Sequence, residues 1–140
     1  MQTNSLFVDT SGWMAYLSAD ETYHDQAGKE LRQAMSRSDL TIYSTDYVLA
    51  ELVALMTVRR IPRQQIVTAM GVIINASRIT KLFTDQALFF EAWNLLTTRL
   101  DKDWSLADSV AICRMQQLGV TEALTNDHHF ARAGFILLLT

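Results

Sequence analysis

The stretch 6-LFVDTSGWMAYL-17 joins a short apolar run to a helical pattern through a few polar residues. The run Leu-Phe-Val has polar residues on both sides, which is typical of a short buried strand. Thr10, Ser11 and Gly12 then begin a helix whose apolar residues continue to Leu17. The stretch therefore predicts a strand followed at once by a helix, with Asp9 at the junction.

The same alternation continues to the end of the chain. Further strands are predicted at 41–43, 78–83, 122–125 and 135–139, and further helices at 24–36, 46–59, after Pro62, after Thr84 or Asp85, and at 106–118. The caps of these helices are Ser44 or Thr45, Pro62 in a first turn, Ser105, and Gly119 at a C-terminus. Alternating strands and helices predict an α/β fold with a mostly parallel sheet of about five strands.

The size and composition fit one domain over residues 1–140, because 140 residues with 49% hydrophobic side chains bury a sizeable core. The net charge of −3 disfavours a strong general binder of nucleic acid, so any such contact must be local or metal-mediated. The single Cys113 excludes an internal disulfide and a zinc finger, and we interpret it as a core residue. The N-terminus lacks a signal-peptide pattern and the apolar runs are short, so we expect a cytoplasmic protein with no membrane contact.

Four acidic residues fall where the predicted sheet would gather ligand-binding groups. Asp9 and Asp127 follow strands, while Glu51 and Asp108 are predicted in the first turns of helices. In an open parallel α/β sheet these positions share the carboxyl edge, where ligands bind. Structural roles remain open for three of them: Asp9 as an N-cap, Asp108 in a capping box with Ser105, and Asp127 as a turn residue. Glu51 lies in an apolar helix, where a carboxylate is costly unless it is paired or metal-bound.

Four clustered carboxylates indicate a bound cation. Carboxylates held close together repel one another, and a cation removes that repulsion. Oxygen ligands without a histidine or cysteine set favour Mg²⁺ or Mn²⁺. Such a metal activates water and stabilises charge on phosphorus, so the residues indicate metal-dependent phosphoester chemistry.

Four segments together resemble the PIN domain, and more closely the VapC-type toxin ribonucleases of bacterial toxin–antitoxin modules. The segments are FVDTSGW (7–13), TDYVLAEL (45–52), DWSLADSVAI (103–112) and LTNDHHFARAGF (124–135). The resemblance implies a three-layer α/β/α sandwich and an acidic pocket that binds Mg²⁺ or Mn²⁺. It also implies cleavage of single-stranded RNA regions by a metal-activated water.

Carried onto this chain, the resemblance assigns the catalytic and metal-binding roles to four acids: Asp9, Glu51, Asp108 and Asp127. It gives Ser11, Thr10 and Thr125 supporting roles in the pocket. Asp101 and Asp103 precede the third motif; either could assist the metal, but a solvated turn is the preferred interpretation.

The resemblance further implies a cognate antitoxin and a homodimer or a toxin–antitoxin hetero-oligomer. The apolar residues that could form a partner surface, or simply core, are Leu52, Leu55, Met56, Ile66 and Met70. Three arginines are candidates for RNA contacts, with a solvated helix end as the alternative: Arg59, Arg60 and Arg63. We interpret His128 and His129 as surface loop residues, with a substrate contact of His128 left open.

Two other functions are compatible with the sequence. One is a catalytically silent PIN domain that serves as a protein- or RNA-binding module. The other is a metal phosphohydrolase that acts on another phosphoester. The complete set of acids favours the ribonuclease, since a silent module has no need of clustered carboxylates.

Overall fold

The structure is a computed structural model that describes residues 3–140. Met1 and Gln2, which begin the N-terminus without a signal-peptide pattern, lie outside the described residues. The strands are β1 (Ser5–Val8), β2 (Thr41–Thr45), β3 (Ile79–Leu82), β4 (Glu122–Leu124) and β5 (Ile136–Leu137). The helices are α1 (Thr10–Leu17), α2 (His24–Ser36), α3 (Asp46–Val58), α4 (Arg63–Ile74), α5 (Gln86–Thr98), α6 (Leu106–Leu118) and α7 (His128–Arg132).

The five strands form one parallel sheet in the order β3-β2-β1-β4-β5. The central strand, β1, has Leu6, Phe7 and Val8 all buried. Because successive side chains of a strand point to opposite faces, this burial shows that both faces of the sheet are covered. The predicted α/β/α sandwich with a central parallel sheet is therefore confirmed.

The beginnings of the helices follow local capping chemistry. Thr45 accepts a hydrogen bond from the Val48 backbone nitrogen at the start of α3, and Asp85 accepts one from Leu88 at the start of α5. Ser44, the other cap candidate, lies in β2, where its hydroxyl accepts from Trp13 Nε1 and donates to the Val8 carbonyl. That hydroxyl ties α1 to the two central strands.

The end of the chain differs from the prediction. A helix of five residues, α7, follows β4, where we expected only a turn. It is too short to show a helical period in the sequence, but its Phe130 is fully buried and lies 6.1 Å from Phe7 and 6.5 Å from Phe135, centroid to centroid. The last strand is also shorter than the predicted 135–139, because β5 pairs with β4 only through Ile136 and Leu137.

Most of the proposed partner surface is core. Leu52, Met56, Ile66 and Met70 are buried where α3 packs on α4, so the core alternative holds for these four, and only Leu55 is partly exposed. Cys113 is buried in a second cluster between α5 and α6, which supports its interpretation as a core residue. Among the described residues 3–140, no helix combines the length and apolarity needed to cross a membrane.

Candidate functional site

A pocket of about 670 Å³ lies at the carboxyl edge of the sheet. Four carboxylates line it: Asp9, Glu51, Asp108 and Asp127. The structure thus brings together the four acids singled out in the sequence, although they come from four separate parts of the chain. Only the position of Glu51 needs adjustment, because it is the sixth residue of α3 and lies in the second turn of that helix.

Asp9 is the most deeply placed of the four acids. It follows β1 and occupies the N-cap position of α1, yet its side chain makes no capping hydrogen bond. Its Oδ2 instead accepts a hydrogen bond of 3.0 Å from the Thr125 hydroxyl. Burial raises the pKa of Asp9 to about 7, with further increases from the charges of Asp108 and Glu51 and a partial offset from hydrogen bonds.

A chain of hydroxyl groups holds Asp9 in place. Thr125 has a single hydroxyl proton, which it donates to Asp9, so Ser11 Oγ donates to Thr125 Oγ1 across 2.8 Å. Ser11 Oγ in turn accepts from the Asn126 backbone nitrogen at 3.1 Å, and Thr125 Oγ1 accepts from the Asp127 nitrogen at 3.0 Å. The network joins the first and last motifs and fixes the backbone on which Asp127 sits.

Glu51 has a hydroxyl partner of its own. The Thr10 hydroxyl donates to Glu51 Oε1 at 2.8 Å. Partial burial raises the pKa of Glu51, and the negative charges of Asp108 and Asp127 raise it further. Thr10 therefore orients the carboxylate of Glu51, which lies beside two other carboxylates of the pocket.

Asp108 takes part in both the capping box and the pocket. The Ser105 hydroxyl accepts from the Asp108 nitrogen, and Asp108 Oδ2 accepts from the Ser105 nitrogen, each at 3.0 Å. The structural role that the sequence left open is thus present, with aspartate in the place where glutamate or glutamine is usual. The box uses one carboxylate oxygen, and Asp108 still lines the pocket.

Asp127 is the N-cap of α7 rather than a residue of an open turn. Its Oδ1 accepts from the His129 backbone nitrogen at 2.9 Å. The side chain of His129 brings the two later acids together, since its Nδ1 lies 3.0 Å from Asp108 Oδ2 and 3.5 Å from Asp127 Oδ1.

The donor set of the pocket fits a divalent cation. Ligand atoms of Asp108, Asp127 and His129 all lie within 4.8 Å of one another, and Asp9 and Glu51 line the same pocket. Burial raises the pKa values of Asp9 and Glu51, and the charges of neighbouring carboxylates raise them further, so positive charge in the pocket would favour the ionised forms of these two acids. A cation with oxygen ligands supplies the charge that is needed.

Sequence reasoning missed three residues that line the pocket: Asn126, His129 and Arg132. The prediction of loop positions for His128 and His129 is wrong, because both belong to α7, and the exposed His128 also lines the pocket. The positions of His129 and Arg132 depended on this helix, which we did not predict. Two of the features left open lie elsewhere: the exposed Asp101 pairs with Arg99, and Asp103 is exposed outside the pocket lining.

The three arginines proposed for RNA contacts also lie outside the pocket lining. Arg59 is the C-cap of α3 and pairs with Glu21, and Arg60 has a left-handed backbone conformation with φ of 60°. Arg63 begins α4. Of the supporting residues, Thr10 and Ser11 line the pocket, and the fully buried Thr125 lies behind it.

A model of the PIN domain family matches residues 6–136 of this sequence. The chain belongs to the PIN domain family. It is 25% identical over 131 residues to the 23S rRNA-specific endonuclease VapC20 of Mycobacterium tuberculosis, a match that covers 94% of this chain and 95% of that protein. The resemblance to VapC-type proteins that the motifs indicated is thereby confirmed.

Solved structures show the same PIN fold. The crystal structure of Mycobacterium tuberculosis VapC20, described as a toxin that cleaves the sarcin–ricin loop, superimposes with a TM-score of 0.80 over 94% of this chain and 96% of that one, at 25% identity. VapBC2 from Rickettsia felis, bound to a DNA fragment from its promoter, gives a TM-score of 0.66 at 19% identity and covers 95% and 96% of the two chains.

Proposed function

We propose that this protein is a Mg²⁺- or Mn²⁺-dependent endoribonuclease that cleaves single-stranded regions of RNA and acts as the toxin of a toxin–antitoxin pair. One observation carries the proposal: four carboxylates from distant parts of a PIN-domain chain line one pocket at the carboxyl edge of the sheet. The nuclease activity and toxin role stated for VapC20 support it.

The metal ligands proposed for this chain are Asp9, Glu51, Asp108 and Asp127. When bound, Mg²⁺ or Mn²⁺ supplies an activated water and stabilises the negative charge that develops on the phosphate. The side chains of the protein orient the carboxylates that would bind this metal. Thr125 holds one oxygen of Asp9 and Thr10 holds one oxygen of Glu51, and the second oxygen of Glu51 has no hydrogen bond from residues 3–140.

RNA binding requires cations beside this acidic pocket. Arg132 lines the pocket, is exposed, and forms no ion pair with any residue in the described range 3–140. We assign it the phosphate nearest the carboxylates. Arg59, Arg60 and Arg63 remain the proposed contacts for more distant phosphates.

The proposed antitoxin would block the pocket from its rim. Leu55 is the residue of the predicted partner surface that lines the pocket, so it is the expected apolar contact. A cytoplasmic homodimer or toxin–antitoxin hetero-oligomer, with residues 1–140 as one nuclease domain, completes the proposal. A short open reading frame immediately upstream of the gene, whose product co-purifies with this chain and suppresses cleavage, would be the expected partner.

The decisive experiment is cleavage of a mixed RNA pool by purified protein with Mg²⁺ or Mn²⁺, with and without EDTA. Asp9→Asn and Asp108→Asn, purified identically, should abolish cleavage while circular dichroism shows that both variants are folded. Asp101→Asn is the matched control, because this exposed acid pairs with Arg99 outside the pocket and should leave cleavage unchanged.

The outcomes separate the competing functions. Cleavage that survives both pocket substitutions would show that the pocket is not the active site. Absence of divalent-ion binding by calorimetry, together with no cleavage of RNA, DNA or nucleotides, would favour a silent binding module. Preferential hydrolysis of DNA or nucleotides in competition with RNA would instead favour a different phosphohydrolase.

A further inference from the structure

His129 contacts both acids that come from the later half of the chain. Its backbone nitrogen donates to Asp127 Oδ1 at 2.9 Å, and its Nδ1 lies 3.0 Å from Asp108 Oδ2. The backbone of His129 is itself held, because its carbonyl accepts a hydrogen bond of 3.2 Å from Nε1 of the buried Trp104. One residue thus links the beginning of α6 to the beginning of α7 at the pocket.

The oxygens that face His129 already have hydrogen-bond donors. Asp108 Oδ2 accepts from the Ser105 nitrogen as well as from His129, and Asp127 Oδ1 accepts from the His129 nitrogen. The other oxygens, Asp108 Oδ1 and Asp127 Oδ2, accept no hydrogen bond from residues 3–140. In each of these two carboxylates, therefore, one oxygen is held by hydrogen bonds and the other accepts none from the described residues.

The tautomer of the ring decides what His129 does. A histidine that binds metal through Nδ1 carries its proton on Nε2 and normally donates that proton to a second partner. In this structure Nδ1 of His129 lies at hydrogen-bond distance from a carboxylate oxygen of Asp108, and an ionised carboxylate oxygen can only accept. The geometry thus favours a proton on Nδ1, donated to Asp108.

We propose that His129 is a positioning residue, which donates Nδ1–H to Asp108 Oδ2 and its backbone N–H to Asp127 Oδ1. It holds the two carboxylates so that Asp108 Oδ1 and Asp127 Oδ2 are the oxygens presented to a divalent cation, and it does not bind the cation itself. This inference rests on the proposed function, since it assumes the metal of that site. On this inference His129, a residue of the fourth motif, determines the affinity of the site for the metal without binding it.

The test compares three substitutions by Mn²⁺ titration calorimetry at one fixed pH. His129→Ala removes the side-chain donor, and His129→Gln places an amide beyond the position of Nδ1. Both should weaken Mn²⁺ binding by about 10–100-fold, the usual effect of removing a group that orients a metal ligand. His129→Asn keeps an N–H donor near the position of Nδ1 and should bind Mn²⁺ with an affinity close to that of the wild type.

Three further observations keep the test decisive. Asp101→Asn is the control and should leave Mn²⁺ affinity unchanged, because Asp101 pairs with Arg99 and lies outside the pocket lining. Circular dichroism checks that each variant is folded; if His129→Ala is not, the contrast between Asn and Gln remains. Electron paramagnetic resonance of bound Mn²⁺ should show no directly bonded nitrogen in the wild type.

The inference can fail separately from the proposed function. A wild-type protein that binds no Mn²⁺ would overturn both. If the wild type binds Mn²⁺ and His129→Gln binds equally well, only the inference is wrong. A nitrogen coupling to Mn²⁺ would show that the ring ligates the metal and would overturn the inference. An Asn variant as weak as the Gln variant would overturn it too, because a donor near the position of Nδ1 would then not determine Mn²⁺ affinity.

Discussion

Asp9 stands at the N-cap of α1 without capping the helix. An N-cap aspartate usually accepts a hydrogen bond from the first turn, which stabilises a helix by about 1 kcal/mol. Here the carboxylate accepts from the Thr125 hydroxyl instead and lines the pocket. The chain gives up the cap and raises the pKa of this acid to about 7, which is a cost in the metal-free protein.

That cost predicts a pH dependence of the stability of the metal-free protein. The pKa of Asp9 is near 3.8 in the unfolded chain and about 7 in the folded one, so between these values the folded state binds more protons. The stabilisation from this proton is complete below about pH 4 and is lost as pH rises through about 7. About three pKa units correspond to roughly 4 kcal/mol at most, at about 1.4 kcal/mol per unit.

Asp9→Asn should therefore have a higher free energy of unfolding than the wild type at pH 7.5 in EDTA. The amide stays neutral and its oxygen still accepts from Thr125, whereas the wild type must ionise a buried acid. Urea unfolding from pH 4.5 to 8 measures the difference between the two proteins, which should grow with pH. Parallel pH profiles for the two proteins would show that Asp9 titrates normally.

Gly12 is fixed by the close approach of α1 to β4. A Cβ at this position would lie 2.1 Å from the Leu124 carbonyl oxygen and 2.9 Å from its carbon, and neither backbone atom can move aside cheaply. Gly12→Ala should destabilise the fold by about 3 kcal/mol, near the upper end for an overpacked core. It should also weaken Mn²⁺ binding, because the displaced helix carries Thr10 and Ser11.

Gly71→Ala is the matched control for this prediction. Gly71 lies inside α4, where an added Cβ would meet only the Asn75 side chain at 3.9 Å. Alanine there should raise the free energy of unfolding by up to about 1 kcal/mol through helix propensity alone. Urea unfolding of the two variants tests the contrast, and an unchanged stability of Gly12→Ala would show that the two elements separate easily.

At the scale of elements, the capping box of α6 couples helix stability to the pocket. Ser105→Ala removes the acceptor for the Asp108 nitrogen and should cost about 1 kcal/mol. It should also lower Mn²⁺ affinity, since the box fixes the first turn that carries Asp108. Asp85→Ala is the control. It removes the N-cap of α5, where Asp85 Oδ1 accepts a hydrogen bond from the Leu88 backbone nitrogen.

The two cap variants should lose similar stability in thermal unfolding but differ in calorimetry. Only Ser105→Ala should bind Mn²⁺ more weakly, because Asp85 does not line the pocket. Equal Mn²⁺ affinities would show that the position of Asp108 does not depend on its capping partner.

The sequence predicts most elements and much of the pocket, for local reasons. Helices of eight or more residues carry a visible period and recognisable caps, and acids that follow parallel strands must meet at one edge of the sheet. Helix α7 was not predicted, because five residues show no helical period and the burial of its Phe130 depends on the packing of the whole chain. The places of His129 and Arg132 in the pocket were not predicted either, because the direction of their side chains depends on that helix.

The choice between core and partner surface for the apolar residues of α3 and α4 stayed open in the sequence for a related reason. The period of α3 and α4 identifies an apolar stripe but does not tell whether another helix of the same chain covers it. In the structure the two helices cover each other, and Met56 and Ile66 become core. Assignment of a stripe to core or to surface requires the packing of the whole molecule.

The charge of the whole molecule limits how it can attract RNA. The chain carries a net charge of −3, and its pocket contains four acids beside the single arginine Arg132. Long-range steering therefore contributes little, and affinity must come from a few direct phosphate contacts and the metal. For single strands the slope of log affinity against log salt is about −0.7 per neutralised phosphate.

The salt dependence of RNA binding should accordingly be shallow. Four proposed arginines set a limit of about −2.8 on the slope from direct contacts. In an Asp108→Asn background that prevents cleavage, at constant Mg²⁺, Arg132→Ala should make the slope less negative by about 0.7, and Arg60→Ala with Arg63→Ala by about 1.4. Lys29→Ala controls for net charge, because this exposed lysine of α2 does not line the pocket and should leave the slope unchanged. An equal change with Lys29→Ala would mean that RNA responds to the overall charge and not to an arginine placed at the pocket.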